Sequence, residues 1–222
     1  MTLFYLIRHG ETDWNLSGRW QGHTDVPLNA LGRAQARRLA ERLCAEEARF
    51  DAIYSSDLQR AWETACVLGA ALGIAPRRLA PLREIDVGAW GGLTHAEVLA
   101  RDAELYARLE SGEDVARGSG ERFADLYRRV VGAVEHLATM HPNGQLALVT
   151  HGGPVRALLL HAARDKANVL PRHVHIGNTS ISLLIGGASG WDLGVINDMS
   201  HLEYTQQAPD MMSAPPDDAE RP

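Results

Sequence analysis

Short, largely apolar runs alternate along the chain with longer stretches in which apolar residues recur at helical spacing. Residues 3–7, 50–54 and 146–150 are such runs, and each leads into polar or glycine residues. Runs of this length are typical of strands buried inside an α/β sheet. The pattern therefore predicts an α/β fold in which helices separate the strands and cover the sheet.

Helical periodicity marks the segments between these strands. The predicted helices are 30–50, 58–72, a short one from 95, 121–141 and 155–163. Asp57 precedes the second of them, where we expect it to cap the first turn. Near the end of the chain, 179–185 and 191–196 alternate as the two strands of a hairpin, joined by the glycine-rich turn 186–190.

Three stretches lack a clean period. Residues 12–29 are rich in Gly, Asp, Asn and Pro, and they predict a loop. Residues 102–120 are charged and predict a helix followed by a mobile loop. The stretch 205–222 has no pattern and predicts a disordered tail, which leaves 1–204 as one domain with a full core.

Composition narrows the range of partners. The chain of 222 residues has a net charge of −6, which argues against bulk attraction to nucleic acid. We see no leader peptide and no apolar stretch for a membrane, so we expect a cytoplasmic protein. Cys44 and Cys66 fit no redox or zinc spacing and are expected as reduced, partly buried thiols. His173 and His175 form an H-x-H pair that favours a solvated loop over a metal site.

The side chains that could take part in catalysis lie at or soon after the ends of predicted strands. Two predicted strands run into a His-Gly dipeptide, at His9 and at His151, and Arg8 precedes the first of these histidines. Ligands of open α/β sheets bind at the carboxyl ends of strands, so both imidazoles can face one pocket. Arg60, after the strand 50–54, and Glu84 complete the set. Arginine matches phosphate oxygens, histidine can attack phosphorus, and a carboxyl group can protonate a leaving oxygen.

The residues around these side chains resemble the signature of the histidine phosphatase superfamily, the phosphoglycerate-mutase-like group. The resemblance spans residues 2–203 and rests on 6–12 (LIRHGET), Trp14-Asn15, 18–22 (GRWQG), 25–29 (DVPLN), 55–61 (SSDLQRA), Arg83-Glu84, 88–93 (GAWGGL) and His151-Gly152-Gly153. It implies a three-layer sandwich, with a mostly parallel central sheet flanked by helices on both faces. Where relatives often carry a Gly-Gly-Glu-Ser block, this chain has 118–122 (GSGER), in the segment expected to choose the substrate.

The resemblance also implies a reaction through phosphohistidine. His9 would attack phosphorus as a neutral imidazole whose other N–H is held by a backbone carbonyl. Arg8, Arg60 and an imidazolium at His151 would grip the phosphate oxygens, and Glu84 would protonate the leaving oxygen. Further substrate contacts are implied for Asn15, Gln21, Gly22 and Gly152. The arginines supply the positive charge, so no metal and no cofactor is expected.

Two other functions stay open at this point. A cofactor-dependent phosphoglycerate mutase would share the pocket, but the loop 19–22 and the short stretch 92–145 favour a hydrolase. A non-catalytic sensor of phosphorylated ligands should have lost His9 or Glu84, and both are present. We therefore predict a phosphomonoester hydrolase whose partner is a small phosphorylated metabolite, not nucleic acid and not a membrane, with a homodimer as the expected assembly.

Overall fold

A computed structural model of the protein describes residues 1–164, 174–187 and 190–202. Its strands are β1 (Thr2–Arg8), β2 (Ala52–Ser55), β3 (Arg77–Arg78), β4 (Gln145–Thr150), β5 (Ile181–Gly187) and β6 (Gly190–Leu193). They form one sheet in the order β3-β2-β4-β1-β5-β6. The first four strands are parallel, and β5 and β6 add an antiparallel edge.

Helices cover both faces of this sheet. They are α1 (Asp13–Leu16), α2 (Ala30–Ala45), α3 (Gln59–Leu72), α4 (His95–Arg101), α5 (Ala103–Glu110), α6 (Phe123–Met140) and α7 (Gly152–Ala163). Successive side chains of β1 point to opposite faces: Leu6 packs with the core residues of α6 and α7, and Ile7 with those of α2 and α3. The predicted three-layer α/β sandwich with a mostly parallel sheet is confirmed.

Several local predictions need correction. The stretch 12–29 contains α1, which Thr12 caps with its side chain, and the first long helix ends at Ala45 instead of reaching residue 50. Asp57 is not the cap of α3, because its carboxylate pairs with Arg83. Asp25 caps that helix instead, since its Oδ1 accepts the Gln59 N–H at 2.6 Å.

The register of the parallel strands brings the predicted site together. Arg8 of β1 lies opposite Thr150 of β4, and Ser55 of β2 lies opposite Val149. The chain therefore leaves all three strands at the same edge of the sheet. His9, Ser56 and His151 follow directly, and the backbone N–H of His9 donates to the Thr150 carbonyl at 2.9 Å.

The predictions about the cysteines and about membrane helices can also be compared with the structure. Cys44 and Cys66 are free thiols, but both are exposed rather than partly buried, because they lie on the outer faces of α2 and α3. Within the described ranges, none of the helices has the length and hydropathy needed to cross a membrane. The predicted tail 205–222 and His173 lie outside the described residues.

Candidate active site

His9 is held as a neutral imidazole with a fixed tautomer. It is buried directly after β1, and its Nδ1 lies 2.6 Å from the carbonyl oxygen of Gly10. A carbonyl only accepts, so Nδ1 carries the proton and Nε2 keeps its lone pair. Burial, followed by the charges of Arg60 and Arg8, lowers the pKa of His9 well below 6.5. The predicted carbonyl support of this histidine is confirmed.

His151 faces His9 across the site, with 5.1 Å between the ring centroids. Arg60 Nε donates to His151 Nδ1 at 3.2 Å, so the proton of this imidazole sits on Nε2, which lies 2.8 Å from Ser56 Oγ. Burial and the charges of Arg60, His9 and Arg8 lower the pKa of His151 well below its usual value. His151 is therefore a neutral imidazole here, because the Arg60 guanidinium occupies the ring nitrogen that would have to be protonated. The imidazolium expected beside a bound phosphate stays a prediction.

Two buried guanidinium groups give the site its positive field. Burial lowers the pKa of both Arg8 and Arg60 to about 10, while Glu84 acts in the opposite direction, so both remain charged at neutral pH. Arg60 lies in the first turn of α3 and donates to the carbonyls of Thr24 and Gly22 at 2.9 and 2.8 Å. The loop between α1 and α2 thus fixes the direction of this side chain.

Glu84 reaches the same space from the loop after β3. Its Oε1 accepts the backbone N–H of Ile85 at 2.8 Å, and its Oε2 accepts that of Gly153 at 3.2 Å. The main chain of Glu84 is held separately, because Arg129 of α6 donates to its carbonyl at 2.7 Å. Arg129 also forms a two-pronged ion pair with Glu121. The carboxyl group is therefore placed by α6 and α7 together.

These side chains surround a small cavity of about 40 Å³. Its lining includes seven of the nine predicted site residues, namely Arg8, His9, Asn15, Gln21, Gly22, Arg60 and Glu84. His151 lies behind this lining, against Ser56, and Gly152 opens α7 without lining the cavity. Of the nine predicted site residues, His151 and Gly152 are thus the two that do not line this cavity.

Asn15 is oriented by its own short helix. Its Oδ1 accepts from the N–H and the hydroxyl of Thr12 at 3.1 and 3.0 Å, which leaves the amide nitrogen for a bound oxygen.

The turn after β1 is packed tightly against α2. A Cβ on Gly10 would lie 2.4 Å from the Gly32 carbonyl oxygen, so any side chain there would push α2 away. Close packing explains this glycine pair.

Some supporting residues carry no pattern that sequence reasoning could have used. Asn178, buried before β5, donates to the carbonyl of His9 at 3.0 Å. Thr64 of α3 accepts the N–H of Gly10 at 3.1 Å. Ser56 stood inside one of the family-like blocks, and Arg129 stood on the polar side of a predicted helix. Only their contacts reveal that they position His151 and Glu84.

The described residues contain no group of three His, Cys, Asp or Glu side chains that could hold a metal ion. His175, the described half of the H-x-H pair, is exposed and lies in an irregular stretch before β5, as the solvated-loop prediction expects. Desolvation, followed by the charges of Arg8 and Arg156, lowers the pKa of this imidazole.

Comparison with known proteins agrees with this geometry. The family model for the histidine phosphatase superfamily (branch 1) matches residues 4–199. Phosphoglycerate mutase-like protein 4 of Arabidopsis thaliana is 38% identical over 204 residues, 90% of this chain and 86% of that protein. A metal-independent phosphoserine phosphatase of the same plant is 36% identical, over 91% of this chain and 84% of its own length.

A solved structure extends the similarity to three dimensions. The mycobacterial glucosyl-3-phosphoglycerate phosphatase, in a complex with VO3, superposes with a TM-score of 0.77 at 37% identity. The match covers 88% of this chain and 98% of the mycobacterial one.

Proposed function

The chain belongs to the histidine phosphatase superfamily (branch 1), and from this we propose that it hydrolyses the phosphomonoester of a small metabolite through a phosphohistidine on His9. The observation that carries the proposal is the tautomer of His9. With Nδ1–H donated to the Gly10 carbonyl, the lone pair of Nε2 is the group that remains for phosphorus.

In the first step His9 Nε2 forms a bond to phosphorus as the ester P–O bond breaks. Arg8 and Arg60 offset the negative charge that spreads over the equatorial oxygens. Glu84 gives its proton to the leaving oxygen, so the alcohol departs neutral. The phosphate dianion raises the proton affinity of His151, which can then donate to an oxygen as imidazolium.

In the second step water attacks the phosphohistidine. Glu84, now a carboxylate, takes a proton from this water while the P–N bond breaks and its electrons return to His9. Inorganic phosphate is released, and the enzyme regains its starting protonation state. The positive charge comes from guanidinium groups that the fold already holds in place, so the cycle uses only the side chains described above.

A phosphoglycerate mutase remains the second candidate, because its chemistry uses the same pocket and differs in the acceptor of the phosphoryl group. The sequence of the loop 19–22 and the short stretch between Gly92 and Gln145 favour water as the acceptor. An assay of 3-phosphoglycerate interconversion, with 2,3-bisphosphoglycerate present, separates the two. Isomerisation faster than phosphate release would overturn hydrolysis as the main activity.

Replacing His9 with Ala tests the nucleophile. We expect p-nitrophenyl phosphate hydrolysis to disappear while the circular dichroism spectrum and the Tm stay close to wild type. The matched control is His136→Ala, which removes an exposed histidine of α6 and should keep full activity. Mass spectrometry after an alkaline quench should find the phosphoryl group on a peptide containing His9. Turnover by His9→Ala, with EDTA present, would refute the assignment.

The remaining expectations are proposals about the protein as a whole. We propose that 1–204 act as a single catalytic domain, that the protein is cytoplasmic and that it assembles as a homodimer. Size-exclusion chromatography with light scattering tests the assembly, and fractionation of cells tests the location.

A further inference from the structure

Arg117 is a buried cation that forms no salt bridge with the described part of the chain. It lies on the 3-10 turn Arg117–Ser119 between α5 and α6, and its residue is 7% exposed. Its Nε and Nη1 are buried, and neither has a hydrogen-bond partner within the described ranges. Burial lowers the pKa of this guanidinium below its usual value. Such a group is costly to bury unless an acceptor reaches it at some stage of function.

The two carboxylates whose charges act on Arg117, Asp114 and Glu84, are hydrogen-bonded to other groups. Asp114 accepts the backbone N–H groups of Phe123 and Ala124 at 2.7 and 3.0 Å, so it caps α6. Glu84 accepts two backbone N–H groups, as described above. Both act on Arg117 only through space, and each raises its pKa against the effect of burial. The acceptor for this side chain must therefore come from outside the described chain.

The backbone fixes the turn of Arg117 beside Glu84. A Cβ on Gly118 would lie 2.3 Å from the carbonyl oxygen of Val87, and one on Gly120 would lie 2.3 Å from that of Asp86. The turn is thus seated directly on the chain that follows Glu84. Arg117 also borders an open cavity of about 890 Å³ beside α6.

The charge of Glu84 also acts on a second guanidinium, that of Arg156. Arg156 follows Gly153 by one helical turn on α7 and donates through Nε to the Val174 carbonyl at 3.1 Å. Burial and the charge of Arg8 lower its pKa to about 10, while Glu84 acts in the opposite direction. Arg117 and Arg156 are therefore both close enough to interact electrostatically with the carboxyl group that, in the proposed reaction, protonates the leaving oxygen.

The proposed reaction assigns this position to the organic part of the substrate. In that reaction the phosphoryl group would lie between His9, Arg8 and Arg60, and the leaving oxygen would face Glu84. The carbon skeleton attached to that oxygen must then extend past Glu84, toward the two further arginines. We propose that Arg117, supported by Arg156, binds a carboxylate group of the substrate, so that the preferred esters are phosphorylated hydroxy or amino acids. This inference rests on the proposed phosphatase activity.

A matched pair of esters tests the inference. 3-Phosphoglycerate carries a carboxylate, and glycerol 3-phosphate has the same carbon chain with an alcohol in its place. For the wild type we expect a kcat/KM about 10- to 100-fold higher for 3-phosphoglycerate, the range of a charge-assisted contact. In Arg117→Leu this ratio should fall toward one, and Arg117→Lys should restore part of it.

Two controls keep the test interpretable. Arg128→Leu makes the same substitution on a neighbouring side chain that is 77% exposed and pairs only with Asp125 among the described residues, so both esters should behave as in wild type. Because Nε and Nη1 of Arg117 have no hydrogen-bond partner among the described residues, its Leu variant should unfold at the same or a higher temperature than wild type.

Each outcome has a distinct meaning. A wild type that hydrolyses both esters equally well, or an Arg117→Leu variant that keeps the full ratio, overturns the carboxylate site and leaves the phosphatase assignment intact. A wild type that releases phosphate from neither ester nor from p-nitrophenyl phosphate overturns the phosphatase itself. A fall in Tm with equal losses on both esters would show that Arg117 is structural, which also refutes the inference.

Discussion

An added methyl group at Gly153 should disable Glu84, the proposed general acid, by displacing its carboxylate while leaving the residue itself unchanged. A Cβ built there lies 2.2 Å from Glu84 Oε1 and 3.3 Å from its Cδ. Ordinary contact needs well over 3 Å, so in Gly153→Ala the carboxylate must withdraw by about 1 Å. Glu84 is the far end of a flexible side chain, so this movement is easier than a shift of α7.

The expected loss follows from what Glu84 contributes. A misplacement of about 1 Å can cost about 100-fold in rate, and loss of a general acid costs about 100- to 10,000-fold. We therefore expect kcat for glycerol 3-phosphate, whose alkoxide is a poor leaving group, to fall at least about 100-fold. The loss with p-nitrophenyl phosphate should be much smaller, because nitrophenolate leaves without protonation.

The measurement is kcat for both esters in Gly153→Ala, with Gly132→Ala as control. A Cβ on Gly132, on the exposed side of α6, meets nothing within 4 Å. The control should keep its activity and gain about 0.5–1 kcal/mol in the free energy of unfolding, because alanine is the better helix former. Equal losses on the two esters in Gly153→Ala, or full activity on both, would refute the placement of Glu84 as the acid.

Three further predictions follow from the charged groups. The pKa values of His9 and His151 in the folded protein lie well below 6.5, so between those values and 6.5 the unfolded chain binds more protons than the folded one. The urea midpoint, measured without phosphate, should therefore fall as the pH drops from 7 to 5. A midpoint that does not change with pH would contradict this prediction. Phosphate binding should take up a proton at His151, seen by calorimetry in buffers of different ionisation enthalpy, and buffer-independent heats would refute this. Arg129→Met should lower the free energy of unfolding by about 2–4 kcal/mol and reduce kcat, since it strands Glu121 and loosens Glu84; an unchanged denaturation curve would refute it.

The structure also explains why some local predictions failed. Asp57 has the right type and position for a helix cap, but it is paired with Arg83, a residue 26 positions further along the chain. The cap comes from Asp25, which lies in a loop 34 positions before Gln59. Neither partner is within the window in which capping is recognised from sequence. The exposure of Cys44 and Cys66 likewise depends on which helix faces the neighbouring elements cover.

The order of amino acids was sufficient to predict the main strands, the sheet edge at which they end and the identity of the reacting groups. Apolar runs that end in His-Gly are a local signal, and the carboxyl ends of parallel strands meet wherever such a sheet forms. His9, His151, Arg8, Arg60 and Glu84 could therefore be named before any contact was known.

The protonation of these groups and the hydrogen bonds that hold them became clear from the folded arrangement alone. The protonation of His151 depends on Arg60, 91 positions away, and the direction of Glu84 depends on the Gly153 N–H, 69 positions away. Arg117 became a candidate for substrate recognition only once it was found buried without an acceptor. A local sequence pattern specifies which residue types stand at the end of a strand. Their desolvation and pairing depend instead on atoms that the fold brings from distant parts of the chain.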